Sequence, residues 1–408
     1  MNNKILTLTM LGIVLSSAAH AHHRTSVYDK TTEEPDFYGG GVDLSYKVIG
    51  SKKFYNFQLD LRKDEAVTKD IENTKTTGLR SYLLYEDGKI VIDESIEFPY
   101  FIKSNGNRLP SHSMGKSLVS YVTGHAICEG YIDSVDVKLD DWPTIKNTLY
   151  EGQSLIDLLN MTAGDQNYTG HRLYESDNRI KINGIKQNVN TIPLKQVMAS
   201  NEMQNSTRAR PIYNYNALTT NTIMNYVIYK TGDDWEPLLH KVFTQHVKVK
   251  EEVHFLKIPD KSLIRSNLPN TGVGTKELGR YSFYATRYDY LRIAKTMMDD
   301  WNNDTCAGKY LKAMYEQRID KDHKNKDRGW ARDNASRTHY TKSYGGQFHF
   351  DLIGLPNQGR DRKILTMSGF AGQNIHIDFD SERIIVINTS DNHINWRGHA
   401  HKHLRKSK

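Results

Sequence analysis

Ser113-Met114-Gly115-Lys116 is the stretch from which the rest of the chain can be interpreted. It precedes Ser117–Glu129, where apolar residues recur at helical spacing. Residues i and i+3 share one face of a helix, so the Ser113 hydroxyl and the Lys116 amine can meet. A partly desolvated lysine has a lowered pKa and can accept the hydroxyl proton. The spacing fits a lysine-activated serine nucleophile, although the motif taken alone fits a capped surface helix better.

Two later segments give this motif its context. Tyr213-Asn214-Tyr215-Asn216-Ala217 precedes a predicted helix, Thr219–Tyr229. Met367-Ser368-Gly369-Phe370-Ala371-Gly372-Gln373 leads into a predicted hairpin near the C-terminus. In order and spacing, the three segments resemble the serine β-lactamase and penicillin-recognising superfamily, in its class C-like and esterase-like branch. Within that branch they are most similar to 6-aminohexanoate-dimer hydrolases.

The resemblance runs from about residue 78 to 390, and three more segments contribute to it: Glu129–Ile132, Leu155–Gly164 and Tyr284–Tyr290. It implies an α+β, β-lactamase-like fold. In such a fold an antiparallel sheet is flanked by helices, a mainly helical lobe is added, and one cleft lies between them.

The resemblance also implies roles for the matching residues. Ser113 would be the acylated nucleophile, Lys116 would keep the proton network poised, and Tyr215 would relay protons as base and then acid. The backbone N–H groups of Ser113 and Phe370 would form the oxyanion hole. The residues expected to bind substrate are Ser368 and Gly369.

Two positions depart from many β-lactam-recognising relatives. Ala217 stands where those proteins have an asparagine, and Met367 stands where they have a lysine or histidine. A β-lactam carboxylate would lose its usual anchor without that cation. The sequence therefore favours an amide or ester bond in a small linear substrate. A β-lactamase or D-Ala-D-Ala carboxypeptidase is the alternative reaction, and a non-catalytic peptidoglycan-binding relative is the alternative class.

Strand patterns stand at both ends of the matched region. Leu79–Tyr85 and Lys89–Glu94 flank the turn Asp87-Gly88, and Gln373–Asp378 is followed by Arg383–Asn388. We expect these strands to join one antiparallel sheet.

Helical patterns fill the middle of the chain, including Leu155–Met161 and Tyr288–Trp301. The expected organisation is a sheet lobe of about 78–112 and 345–395 with a helical lobe of about 113–344 inserted into it.

The N-terminus predicts export. A positive start, Met1–Lys4, is followed by the apolar run Ile5–Leu15 and by the small residues of Ala19-His20-Ala21. This is the pattern of a cleavable signal peptide over residues 1–21, which leaves 22–408 as a single β-lactamase-like domain. No cysteine follows the run as in a lipoprotein. The mature protein is expected to be periplasmic or secreted, without a membrane span.

The amino-acid composition limits the kinds of molecule that the protein is expected to bind. The chain has 408 residues, 38% of them apolar, with a net charge of +7 and no basic stripe interleaved with aromatic residues. This is a globular composition, and it predicts a small-molecule substrate rather than a nucleic acid. The oligomeric state stays open.

Cysteine and histidine patterns predict no metal site and no cofactor. An oxidising compartment permits a bond between Cys128 and Cys306, the two cysteines of the chain, but the apolar surroundings of Cys128 favour a buried structural thiol. Five histidines near the two ends are interpreted as parts of solvated tails: His22, His23, His399, His401 and His403.

Overall fold

The protein is represented by a computed structural model. It describes residues 45–98, 107–169, 179–182, 184–258, 277–321, 341–355, 362–390 and 396–405. The predicted signal peptide, His22 and His23 lie outside these ranges. Within them, no helix is both long enough and apolar enough to cross a membrane.

The strands, in chain order, are β1 (Ser45–Val48), β2 (Gln58–Leu59), β3 (Leu79–Glu86), β4 (Lys89–Ser95), β5 (Leu109–Pro110), β6 (Arg179–Ile182), β7 (Ile185–Asn188), β8 (Val253–Lys257), β9 (Gly279–Ala285), β10 (Ile319–Asp320), β11 (Thr341–Gly345), β12 (Phe348–Leu352), β13 (Ile364–Gly369), β14 (Gln373–Asp378) and β15 (Arg383–Thr389).

The α-helices are α1 (Glu65–Glu72), α2 (Thr74–Thr77), α3 (Met114–Cys128), α4 (Leu155–Leu159), α5 (Gln166–Thr169), α6 (Leu194–Met198), α7 (Ala217–Thr231), α8 (Trp235–Leu239), α9 (Arg287–Asn302), α10 (Cys306–Glu316) and α11 (Trp396–Leu404). Short 3-10 turns cover Pro143–Ile145, Gly232–Asp234 and Phe370–Gly372, and a π-helical segment covers His240–His246.

A nine-stranded sheet organises the molecule, in the order β10-β11-β12-β13-β14-β15-β3-β4-β2. Neighbouring strands are antiparallel except β2 and β4, which are parallel. Each edge strand, β2 and β10, has two residues. A four-stranded antiparallel sheet, β1-β8-β9-β5, lies apart from it and packs against α3 and α7.

Successive residues of a strand point to opposite faces, and both faces of the nine-stranded sheet are covered. In β3, Leu83 and Tyr85 enter the larger core, which includes α3 and α9. Tyr82 and Leu84 enter a smaller core on the other face, against α1 and α11. This burial on both sides explains why β3 and β15 consist almost entirely of buried residues.

The predicted hairpins and the α+β fold class are confirmed in the described residues. β3 and β4 form the expected hairpin, with Asp87 and Gly88 at positive φ in the turn. β14 and β15 form the second hairpin, and β15 pairs with β3 in antiparallel register. The early and late strands therefore belong to one sheet, in a mixed α+β architecture. That sheet also takes in β2, β10 and β11, whose residues carry no strong strand pattern.

The expectation of a buried free thiol at Cys128 is wrong, because the structure joins Cys128 to Cys306 in a disulfide. Cys128 is the last residue of α3 and is only partly buried, and Cys306 is the first residue of α10 and is exposed. The bond ties the end of α3 to the start of α10 across a sequence separation of 178 residues. The helical pattern around Cys128 describes the body of α3, whereas the cysteine itself is the last residue of that helix.

We expect the double replacement of Cys128 and Cys306 by serine to lower the free energy of unfolding by about 2–5 kcal/mol. Without the bond, the unfolded chain is no longer closed into a long loop and has more conformational entropy. Denaturant unfolding of the oxidised protein and of the double variant measures the difference. Adding a reductant to the oxidised protein should reproduce it and should leave the double variant unchanged. Equal stability of the two proteins would contradict the prediction.

The C-terminal histidines are not all parts of a solvated tail. His403 is buried in α11, with Nδ1 2.6 Å from the Tyr82 hydroxyl and Nε2 3.0 Å from Asp64. His399 Nε2 lies 2.7 Å from the Asp70 carboxylate. The alternation of polar and apolar residues is weak in this segment, so its packing against α1 and β15 was not apparent from the sequence.

Candidate active site

Ser113 stands at the start of α3, with helical backbone angles of φ −70° and ψ −10°. Its side chain is partly exposed, so a substrate can reach it. The preceding residue, His112, has a φ of +47°, a sparsely populated conformation for a residue with a side chain. Ser111 ties the segment before α3 to β9. Its N–H donates to the Phe283 carbonyl at 2.7 Å, and its hydroxyl accepts from the Phe283 N–H at 2.9 Å.

Gly115 allows the nucleophile helix to lie directly against β9. A Cβ at this position would come 1.8 Å from the Tyr281 carbonyl oxygen. No larger residue fits without moving one of the two elements. The glycine of the Ser-x-x-Lys motif thus has a packing role, and it brings Lys116 beside the side chain of Tyr281.

Lys116 is almost completely buried, and its Nζ lies 3.4 Å from Ser113 Oγ. The same Nζ lies 3.5 Å from the centre of the Tyr281 ring and 5.0 Å from that of Tyr215. Burial lowers the pKa of Lys116, and the electrostatic interaction with Tyr281 opposes that change only in part. The amine is therefore more easily deprotonated than a surface lysine, and it is positioned to accept the Ser113 proton.

Tyr215 lies close to the same amine, since the Lys116 Nζ is 5.0 Å from the centre of its ring. Burial raises the pKa of Tyr215 above its ordinary value, and the nearby Ser113 hydroxyl does not reverse this. The resting phenol is therefore neutral and carries a proton that it can donate. The structure brings the three predicted catalytic side chains, Ser113, Lys116 and Tyr215, into one cluster.

Tyr281 and Arg280, both on β9, were not found by sequence reasoning. Tyr281 is buried beside Lys116. Burial is the largest influence and would raise the Tyr281 pKa, but the interactions with Lys116, Arg280 and Asn190 together lower it. Arg280 is also buried, and its charge adds to the effect of burial in lowering the pKa values of His112 and Lys116. Both residues lie just before the Tyr284–Tyr290 segment in the sequence, and this position was the only sequence feature that pointed to them.

Asp165 holds the segment that carries Tyr215, and it was likewise missed. Its buried carboxylate accepts hydrogen bonds from four side chains: Tyr150 at 2.8 Å, Asn214 at 2.9 Å, Asn216 at 3.0 Å and Thr219 at 2.7 Å. Because these donors lie on both sides of Tyr215, they fix the backbone from which its phenol extends. Asp165 is a positioning residue, and it directly follows the Leu155–Gly164 segment in the sequence.

Asn216 caps α7 rather than serving as a pocket amide. Its side-chain oxygen accepts from the Thr219 N–H at 2.8 Å, while its amide nitrogen donates to Asp165. Ala217 is the next residue, the first of α7, and is fully buried. The described structure therefore supplies no asparagine side chain from position 217 to a substrate.

The end of β13 lies against the nucleophile, as the oxyanion-hole prediction requires. A Cβ on Gly369 would come 2.4 Å from the Ser111 carbonyl oxygen and 3.2 Å from the Ser113 backbone nitrogen. Phe370 follows in a 3-10 turn, is 39% exposed, and packs its ring against His112 at 5.8 Å between centres. Ser368 is buried in β13. Close backbone approach thus places Gly369 and Phe370 beside the N-terminus of α3.

Met367 is fully buried in the larger core. It brings no cation to the cleft, and a lysine there would have to be buried. Three arginines elsewhere in the sequence could in principle replace the missing cation: Arg208, Arg210 and Arg397. Arg208 pairs with Asp157 at 3.2 Å and donates to the Thr162 carbonyl, and Arg210 is exposed. The side chain of Arg397 lies outside the described residues.

The sequence matches no family model, and no curated protein matches it. Solved structures do match. A protein from Bacillus anthracis described as a 6-aminohexanoate-dimer hydrolase shares 13% of its residues, with 89% of each chain covered and a TM-score of 0.59. EstCE1, described as a hydrolase with promiscuous acyltransferase activity, shares 14%, covering 83% of this chain and 97% of its own, with a TM-score of 0.51.

A class C β-lactamase from Rhodobacter sphaeroides shares 12% of its residues, over 83% of this chain and 98% of its own, with a TM-score of 0.52. At these identities the likeness establishes a common fold and leaves the reaction to be argued from the site.

Proposed function

The chain has the fold of the serine β-lactamase and penicillin-binding protein superfamily, and we propose that it is an exported serine hydrolase. It cleaves an amide or ester bond of a small linear substrate through an acyl-enzyme on Ser113. One observation supports the proposal most directly: Ser113 Oγ lies 3.4 Å from the Nζ of buried Lys116, and that Nζ lies 5.0 Å from the centre of the Tyr215 ring. A structural serine at a helix start does not need a buried lysine beside it.

Acylation begins when the neutral Lys116 amine takes the Ser113 proton and Oγ attacks the substrate carbonyl carbon. The oxygen of the tetrahedral intermediate is stabilised by the backbone N–H groups of Ser113 and Phe370. As the bond to the leaving amine or alcohol breaks, Tyr215 donates its proton to that group. The Lys116 ammonium then returns a proton to the Tyr215 phenolate, and the acyl ester on Ser113 remains.

In deacylation, a water molecule attacks the ester carbonyl while the neutral Lys116 amine accepts one of its protons, with Tyr215 stabilising the transfer as a neutral phenol. When the bond to Ser113 Oγ breaks and the acid product leaves, the Lys116 ammonium returns that proton to Ser113.

Labelling with a fluorophosphonate separates an enzyme from a binding module on the same fold. The mature chain should gain one phosphonyl group, located on Ser113 by peptide mass spectrometry. Ser117→Ala, one turn along the same buried helix, is the matched control and should label as the wild type does. A wild-type protein that stays unlabelled would favour a non-catalytic, peptidoglycan-binding role.

We expect a preference for linear substrates over β-lactams. After division by the uncatalysed rate, kcat/KM for p-nitrophenyl butyrate should exceed that for nitrocefin at least tenfold. A charge-assisted hydrogen bond contributes about 1.5–3 kcal/mol, and about 1.4 kcal/mol corresponds to a tenfold change in rate. Met367 and Ala217 supply neither the cation nor the amide that a β-lactam would use.

Ser113→Ala, measured with both substrates, gives the background to subtract. Because Met367 is buried, Met367→Lys is a poor test of the missing cation, and the comparison rests on the wild-type chain. A preference for nitrocefin would favour the alternative, a β-lactamase or D-Ala-D-Ala carboxypeptidase. Linear dimers of ω-amino acids are the first amides to assay, given the description of the Bacillus anthracis neighbour.

A further inference from the structure

A second cluster of reactive side chains lies at the opposite end of the nucleophile helix. It consists of His125 near the end of α3, His246 at the end of the π-helical segment, and Asp300 near the end of α9. One potential ligand atom from each residue lies within 4.8 Å of the other two. Ser113 and His125 are twelve residues apart on α3, or about 18 Å along the helix. The cluster is therefore separate from the candidate active site.

One ring nitrogen of His125 makes no hydrogen bond to the described residues. His125 is 8% exposed, and this nitrogen is its buried Nε2. Its ring is instead enclosed by other rings, with centres 4.7 Å from Tyr121 and 5.1 Å from His246. Leaving a buried polar atom unpaired costs about 1–3 kcal/mol. A histidine in this state next to another histidine and a carboxylate is suited to a ligand that the protein alone does not supply.

Asp300 is held in a fixed orientation by groups that would also support a bound ion. The Tyr121 hydroxyl donates to Oδ2 at 2.6 Å, and the Thr305 hydroxyl donates to Oδ1 at 2.7 Å. His246 Nε2 lies 3.0 Å from each of these oxygens. Metal-binding carboxylates are usually oriented by such outer hydrogen bonds. Thr305 directly precedes Cys306, so the disulfide keeps this segment beside α3.

We propose that His125, His246 and Asp300 bind one zinc ion, with a water molecule as the fourth ligand. Two imidazoles and one carboxylate are a common zinc set, whereas magnesium and calcium prefer oxygen ligands. Zinc bonds of about 2.0–2.1 Å place tetrahedral ligands about 3.3 Å apart. The His246–Asp300 distances already match, and His125 needs a small side-chain movement toward them.

The site is accessible from solvent. The His246 side chain is 38% exposed, so an ion can enter at that side. Zinc would take the place of the direct His246–Asp300 contact, and that contact without metal is the alternative explanation of the cluster.

The test is a zinc titration of the chelator-stripped mature chain by isothermal calorimetry, with His246→Ala compared to the wild type. His246 is chosen because its exposure makes misfolding of the variant less of a risk than at His125 or Asp300. We expect His246→Ala to bind one zinc equivalent fewer, or to bind it at least 100-fold more weakly. His240→Ala is the matched control, since His240 lies on the same segment and contacts Thr244 instead.

The histidines of α11 and of the N-terminal segment are present in all three proteins, so a difference between them isolates the cluster. Saturating zinc should also raise the Tm of the wild type and of His240→Ala but not of His246→Ala. Magnesium should have no such effect. Equal zinc stoichiometry and affinity in the wild type and His246→Ala would overturn the proposal and leave an ion pair.

Discussion

Replacing Ser113 with alanine is expected to lower kcat/KM by about 10⁴-fold or more while leaving the Tm close to that of the wild type. Loss of a nucleophile removes the covalent route entirely, and what remains is the contribution of binding and of the oxyanion hole. The stability should change little, because the Ser113 side chain is partly exposed and its contact with Lys116 is long, at 3.4 Å.

Ser117→Ala is again the informative control. Ser117 is buried one turn further along α3 and donates to the Gln347 carbonyl at 2.7 Å. Its loss should reduce stability by about 1 kcal/mol and leave turnover nearly intact. The two variants, both on α3, thus distinguish a loss of catalytic activity from a loss of stability. An active Ser113→Ala protein, or an acyl adduct recovered on a different serine, would refute the assignment of the nucleophile.

Replacing Tyr215 with phenylalanine is expected to slow acylation by a linear amide about 10²–10⁴-fold, which is the usual contribution of a positioned acid or base. A p-nitrophenyl ester should be affected much less in the same step, because p-nitrophenolate leaves without a proton. The contrast between the two substrates, measured as the pre-steady-state rate of acylation, reports on proton donation and not merely on packing.

Tyr213→Phe provides the matched control within the same aromatic cluster. The Tyr213 hydroxyl is buried, has no hydrogen-bond partner among the described residues, and belongs to a ring 6.5 Å from that of Tyr215. Its removal should leave both rates close to those of the wild type. If Tyr215→Phe slows the amide and the ester equally, then Tyr215 positions Ser113 and the leaving group obtains its proton elsewhere.

Local patterns were enough to predict the main secondary structure of this protein. The Ser-x-x-Lys helix, the Asp87-Gly88 hairpin and the last two strands appear with bounds close to those expected, because each depends on spacing within one short segment. That the early and late strands share one sheet could also be predicted, since two strand-rich ends separated by a helical middle have few other ways to bury their apolar faces.

What the sequence did not reveal depends on contacts between distant segments. Tyr281 matters because Gly115 lets β9 approach α3, and Asp165 matters because four donors from other segments meet its carboxylate. Neither residue belongs to a short motif. The Cys128–Cys306 bond was missed for the same reason: its partners lie at the ends of two helices whose proximity only the tertiary structure defines.

The nine-stranded sheet ends on both sides in a strand of two residues, β2 and β10. A long open edge exposes a row of unpaired N–H and C=O groups that can template the addition of a foreign strand. Strands as short as these offer an incoming chain few backbone groups to pair with. In the described part of the molecule, β2 and β10 themselves therefore give a second copy little opportunity to add a strand to this sheet.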